Sequence, residues 1–167
     1  FVTIVQVRTW PVASAATLSP YESFHGFEMA SLDGEQVSFS DFAGSACLVV
    51  NVAPLEAYVQ YAGLRALHHD ENGVQVLAFP CNQFGGQEQG TAGEIRAFVT
   101  ENFDVDFPMF AKIDVNGDGA ADLYTWLKAE QPGTGETSDV TWNFEKFLVN
   151  ASGEVVQRFG PMVSPEE

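Results

Sequence analysis

Two apolar runs, Leu48–Ala53 and Val74–Phe79, most constrain what this chain folds into. Runs of that length suit strands buried on both faces of a sheet. Between them, Tyr58–His69 carries helical spacing, with Tyr61, Leu64 and Leu67 or His68 on one side. Two buried strands joined by a helix make a parallel pair with a right-handed crossover.

The other segments arrange themselves around that unit. Gly26–Phe39 alternates around Asp33-Gly34, which predicts a hairpin. Thr91–Phe103 predicts a helix that turns Ile95, Phe98 and Val99 or Asn102 inward. Thr91 stands three residues before Glu94, the spacing of a capping box. Ala121–Glu130 is a further helix with Leu123, Trp126 and Leu127 as its apolar stripe. Phe147–Val149 and Val155–Phe159 flank Asn150-Ala151-Ser152-Gly153 as a terminal hairpin, which makes the sheet mixed. The order predicts an α/β fold: a thioredoxin-like sandwich with a mixed central sheet flanked by helices and an N-terminal β-hairpin.

The 167 residues fit one domain, and a net charge of −16 bounds its partners. Such a surface repels nucleic-acid phosphate backbones and anionic membrane surfaces, so neither is an expected partner. No apolar run is long enough to span a bilayer. Residues 1–22 read as a disordered or targeting extension, and 23–167 as the folded domain. Ser164-Pro165-Glu166-Glu167 has the cap, proline and acids of a helix start, so the domain is expected to stop before a closing C-terminal helix.

Only two cysteines occur, Cys47 and Cys81, too few for a disulfide framework and not spaced for zinc. Cys47 lies in a strand run and reads as an inert core thiol. Asp114-Val115-Asn116-Gly117-Asp118-Gly119 mimics the start of a calcium loop, but the twelfth position is Thr125 and not Glu. His68 and His69 read as helix C-terminal residues that complement the dipole. Asn150-Ala151-Ser152 matches a glycosylation sequon and equally a hairpin turn, the reading preferred here. No Gly-x-Ser-x-Gly segment supports a serine hydrolase.

The segment Leu77-Ala78-Phe79-Pro80-Cys81-Asn82-Gln83-Phe84-Gly85-Gly86-Gln87-Glu88 carries the chemistry, together with Trp142-Asn143-Phe144-Glu145-Lys146-Phe147-Leu148-Val149 and Phe107–Asp118. In these motifs the chain resembles the glutathione peroxidase family from about Phe24 onward. The resemblance implies the same thioredoxin-like fold. It also implies reduction of hydrogen peroxide and organic or lipid hydroperoxides by a thiol such as glutathione, or by a thioredoxin-like reductant, with no other cofactor. The nucleophile for that reaction must be soft, anionic and reversibly oxidised, as thiolate and selenolate are. Neutral donors that hold the anion without a competing charge fall, by motif match, to Gln87, Trp142 and Asn143.

The departure from the family is local. Family members follow Asn-Val-Ala with Ser-x-Cys-Gly, or selenocysteine, and then a run into Gln-Tyr-x-x-Leu. Here Asn51-Val52-Ala53 and Gln60-Tyr61-Ala62-Gly63-Leu64 are intact, but Pro54-Leu55-Glu56-Ala57-Tyr58-Val59 stands between them without a chalcogen. Glu56 falls nearest the nucleophile position, and a carboxylate has no reversible redox ladder. A block replaced between intact flanks points to a frame slip or a splice routed around an in-frame TGA. An inactive paralogue that binds or senses on the same scaffold is the alternative.

Cys81, at the adjacent strand end, is the candidate substitute thiol, although a packed thiol under the loop is the preferred reading. Thr100 occupies the position of the resolving cysteine of thioredoxin-dependent members, which favours direct reduction by a small thiol. The short connection between Gln131 and Val140 resembles the monomeric branch that accepts phospholipid hydroperoxides. A soluble cytoplasmic or organellar location is expected.

Overall fold

A computed structural model describes residues 21–165, apart from Glu56 and Asn72. The predicted extension over residues 1–22 therefore falls almost wholly outside the described residues.

The central sheet has four strands in the order β4-β3-β5-β6, where β3 is Cys47–Val52, β4 Gln75–Pro80, β5 Lys146–Val149 and β6 Val155–Phe159. β3 pairs parallel with β4 from Cys47↔Gln75 to Val52↔Pro80, and antiparallel with β5. The helix α1, Ala57–His69, joins the parallel pair, as the apolar runs predict. β1 (Glu28–Ala30) and β2 (Gln36–Ser38) form a separate two-stranded hairpin. Gly34 takes φ +88 in its turn, a backbone region that costs other residues energy.

Side-chain alternation along the inner strands divides the core in two. Cys47, Val49, Leu77, Phe79 and Cys81 face the helix α3 (Asp122–Glu130) and the hairpin, where they meet Leu123, Tyr124 and Phe27. Leu48, Val50, Val52, Val76 and Ala78 face α1 and the helix α2 (Ala92–Phe103), meeting Tyr61, Leu64, Ile95 and Val99. Each such fully buried aliphatic or aromatic side chain contributes about 1.5–3 kcal/mol. Asn51 is the one polar residue in β3 and is fully buried.

On α2, Val99 is buried, while Asn102 is exposed and donates to the Phe98 carbonyl at 2.8 Å, so the inward alternative is Val99. The capping box is formed: Glu94 N–H donates to Thr91 Oγ1, and Thr91 N–H donates to Glu94 Oε2 at 2.7 Å. Thr91→Ala is expected to lower stability by about 1 kcal/mol, read as a shift of the urea midpoint. Asn150 Oδ1 accepts from the N–H groups of Ser152 and Glu154, both at 3.0 Å, which is the turn reading of that tripeptide.

One expectation is corrected. His68 does not complement the α1 dipole as a cation, because its Nδ1 accepts the Val76 N–H at 3.3 Å. Burial lowers its pKa, and His69 beside it lowers it further. The ring is a neutral bracket between the end of α1 and β4. His69 pairs instead with Asp106 at 2.8 Å.

Candidate active site

β3 and β4 run parallel, so their C-terminal ends open at the same edge of the sheet. The loop before α1 leaves β3 there, and the segment Cys81–Glu88 leaves β4 there. The segment turns on Gly85 and Gly86, which take φ +65 and +61. A Cβ on Gly85 would stand 3.3 Å from Gln87 Nε2, so glycine supplies both the backbone region and the room. Asn82 Oδ1 then accepts the Glu88 N–H at 2.8 Å and closes the loop.

The second half of the site precedes β5. Phe144 takes φ +61, in the left-handed region that residues with a Cβ rarely adopt. Its N–H donates to the Asn51 carbonyl at 2.6 Å, and Asn51 Nδ2 donates to the Trp142 carbonyl at 3.0 Å. The buried amide of β3 thus pins the Trp142-Asn143-Phe144 turn to the sheet edge.

The two halves meet. Asn143 Nδ2 donates to Gln87 Oε1 at 2.8 Å, across 56 residues of sequence. Asn143 is buried and Gln87 half-buried. The bond engages the oxygen of Gln87, so the donor this amide offers is its NH₂. The Trp142 ring lies against Phe84, with centroids 5.8 Å apart, and is 41% exposed. The indole and the Gln87 amide therefore belong to one patch. Glu56, the residue nearest the nucleophile position in the sequence, lies outside the described residues.

Cys81 does not share that patch's exposure. It is fully buried, and its thiol donates to Gln83 Oε1 at 3.8 Å. That oxygen also accepts from the N–H groups of Val115 and Asn116. Burial pushes the Cys81 thiol up, and burial pushes Cys47 up to about 12. Both sulfurs are protonated, buried and poorly nucleophilic at neutral pH.

Three supports were not read from the sequence. Asn51 carried a signal, as the lone amide in a buried strand. Arg158 did not: it donates to Glu145 in a buried pair and to the carbonyls of Gln131, Ser138 and Asp139, tying down the connection that leads to Trp142. Glu145 Oε2 in turn accepts from Thr141 N–H and Oγ1, both at 2.8 Å. Glu88 is the third. The residue is 4% exposed, and burial raises its pKa to about 7, with Lys112 opposing. Between the ordinary carboxylate value and about 7 the folded chain holds a proton the unfolded chain has lost. Its contribution is therefore present at acid pH and lost as pH rises through about 7. Glu88→Gln is expected to remove that fall, measured as urea midpoints across the acid-to-neutral range.

The glutathione peroxidase family model matches residues 24–128. The hydroperoxy fatty acid reductase of Synechocystis is 42% identical over 159 residues, 90% of this chain and 94% of that protein. The phospholipid hydroperoxide glutathione peroxidase of Sus scrofa is 43% identical over 149 residues, 86% of this chain and 75% of that protein. The crystal structure of GPX1 from T. cruzi superposes with a TM-score of 0.72 at 36% identity, covering 87% of this chain and 90% of that one. The fold, the two motif segments and these matches together make the chain a member of the glutathione peroxidase family.

Proposed function

We propose that this chain is built for thiol-dependent reduction of hydroperoxides, with Gln87, Trp142 and Asn143 as the donors that hold a chalcogen anion and orient the peroxide. The observation that carries the reading is the Asn143–Gln87 hydrogen bond beside an exposed indole. It joins two distant segments at the sheet edge where the loop before α1 begins.

In the reaction, a thiolate attacks one peroxide oxygen and becomes a sulfenic acid. The O–O bond breaks, and the leaving oxygen takes a proton and departs as alcohol or water. Two molecules of a thiol co-substrate such as glutathione then restore the thiol, forming a disulfide and water. No prosthetic group enters. Neutral donors suit this because they lower the energy of the anion without pairing it into a salt bridge. The half-exposed patch and the short Gln131–Val140 connection favour bulky organic and lipid hydroperoxides and a monomeric protein. The acidic surface favours a reductant that docks without requiring a basic patch. A glutathione peroxidase of Arabidopsis thaliana, 43% identical over 149 residues, is chloroplastic, and an organellar or cytoplasmic location is the reading for this chain.

The sequence from Pro54 to Val59 holds no thiol, so the chain as written lacks the attacking atom. A coupled assay with hydrogen peroxide and glutathione is expected to show negligible turnover. A robust rate abolished by Cys81→Ser would transfer the chemistry to Cys81. Replacing residues 54–59 with the family-type Ser-x-Cys-Gly-Leu-Thr-Pro run is expected to produce turnover, and a folded variant without any gain would overturn the reading.

A further inference from the structure

Lys146 is an ammonium set inside the protein. It is 2% exposed, pairs with Val50 of β3 and Phe159 of β6, and faces the α1 side of the sheet. There it lines a groove of about 160 Å³ made mostly by apolar side chains, among them Leu48, Leu67, Leu148 and Val163, with Ser164 at its tail side. A buried cation is unfavourable unless its hydrogens find acceptors. Here two backbone carbonyls take two of the three: Lys146 Nζ donates to Phe144 O at 2.7 Å and to Val163 O at 2.8 Å.

Those two carbonyls belong to parts of the chain with different tasks. Phe144 ends the turn that carries Trp142 and Asn143, and its left-handed backbone persists only because its surroundings hold it. Asn51 supplies two of the holds, from β3. Lys146 supplies a third, and the stronger type, since its donor is charged. Val163 lies in the tail after β6. That tail is fastened to α1, where Gln60 Nε2 donates to the Pro161 carbonyl at 3.3 Å. Pro165 also seats on Gly63 so closely that a Cβ there would come within 3.2 Å of it.

We propose that Lys146 is a positioning residue of the peroxide-reducing site: by tying the Phe144 carbonyl to the Val163 carbonyl it locks the turn that aims Trp142 and Asn143, and makes the tail a working part of the site. The proposal rests on the function proposed above, but the turn's orientation is measurable without turnover.

The lock has a pH range. Burial lowers the Lys146 amine to about 8, with Glu145 opposing. Glu145 itself is engaged by Arg158 and Thr141. Among the described residues, those that pair with Lys146 or line its groove from β3, β6, α1 and the tail, Val50, Phe159, Leu67, Val163 and Ser164 among them, are uncharged. Above about pH 8 the ammonium loses its proton, its two charge-assisted bonds become neutral ones, and the turn loosens.

Heteronuclear NMR on isotope-labelled protein tests this. The chain has three lysines, Lys112, Lys128 and Lys146, so the lysine side-chain signals are few. The Trp142 indole and Asn143 amide signals are expected to shift with the midpoint of Lys146, while the Trp126 indole stays still. Lys146→Met, of similar volume and without charge, is expected to abolish that titration and displace both signals. In the loop-replaced protein it is expected to lower the peroxide-dependent rate by about ten- to a hundredfold, the effect of a donor misplaced by ~1 Å, with KM for the thiol unchanged. Where Lys146→Met does not fold, the unaltered protein decides: Trp142 and Asn143 signals that stay flat through the Lys146 midpoint overturn the proposal. Signals that follow Lys146 in a loop-replaced protein without turnover would sink the proposed function and leave the positioning role standing.

Discussion

A family-type Ser-x-Cys-Gly-Leu-Thr-Pro run in place of residues 54–59 should give this chain hydroperoxide reductase turnover, and Gln87→Ala in that background should then remove most of the gain. The flanks support the graft. Asn51-Val52 ends β3 in register with Phe79-Pro80, and Ala57–Tyr61 begins α1 against Phe144. A cysteine delivered between them stands at the edge where Gln87 and Asn143 already touch. A preorganised donor aimed at a developing anion is worth on the order of 10²–10³ in rate. Gln87→Ala should lose about that factor, and Asn143→Ala a comparable one, because the Asn143 amide occupies the Gln87 oxygen. The measurement is the peroxide-dependent oxidation of glutathione at saturating thiol. Equal rates for the grafted protein and its Gln87→Ala variant would show that the amide does not touch the reaction.

Arg158→Ala should destabilise the fold by about 3–5 kcal/mol, the cost of leaving one partner of a buried ion pair alone. The Arg158 and Glu145 side chains are 7% and 4% exposed. Removal of the guanidinium strands the Glu145 carboxylate and frees the carbonyls of Gln131, Ser138 and Asp139. It also removes the cation over the Phe147 ring, 4.9 Å from its centroid. Urea unfolding reads the loss as a lower midpoint. The double variant Arg158→Met/Glu145→Gln should recover part of it, since no uncompensated charge remains. A loss below about 1 kcal/mol for Arg158→Ala would class the pair with surface ion pairs and remove its role in holding the Trp142 connection.

Legibility followed range. Wherever the physics is local, residue order alone sufficed: the capping box of α2, the Asp33-Gly34 hairpin turn, and the parallel pair signalled by two apolar runs around a helix. The ambiguous faces were ambiguous for a local reason. Val99 and Asn102 stand at equivalent helical spacing, and only the neighbours of α2 decide which is buried. His68 was misread because a helix end invites a cation, whereas the donor that claims its ring belongs to β4. Lys146 sits in a strand motif where nothing nearby predicts the Val163 carbonyl that receives it.

By itself the sequence identified the family, the α/β order of elements, the three candidate polar residues and the absence of a chalcogen between Ala53 and Gln60. All of these are written in composition, spacing or motif. Only the tertiary structure decided that the Asn143 amide engages Gln87, that Asn51 and Lys146 hold the left-handed Phe144, and that Cys81 is sealed from the site. The physical reason is that a hydrogen bond across 56 residues, or the burial of a charge, depends on where the chain returns in space. No local preference encodes that return.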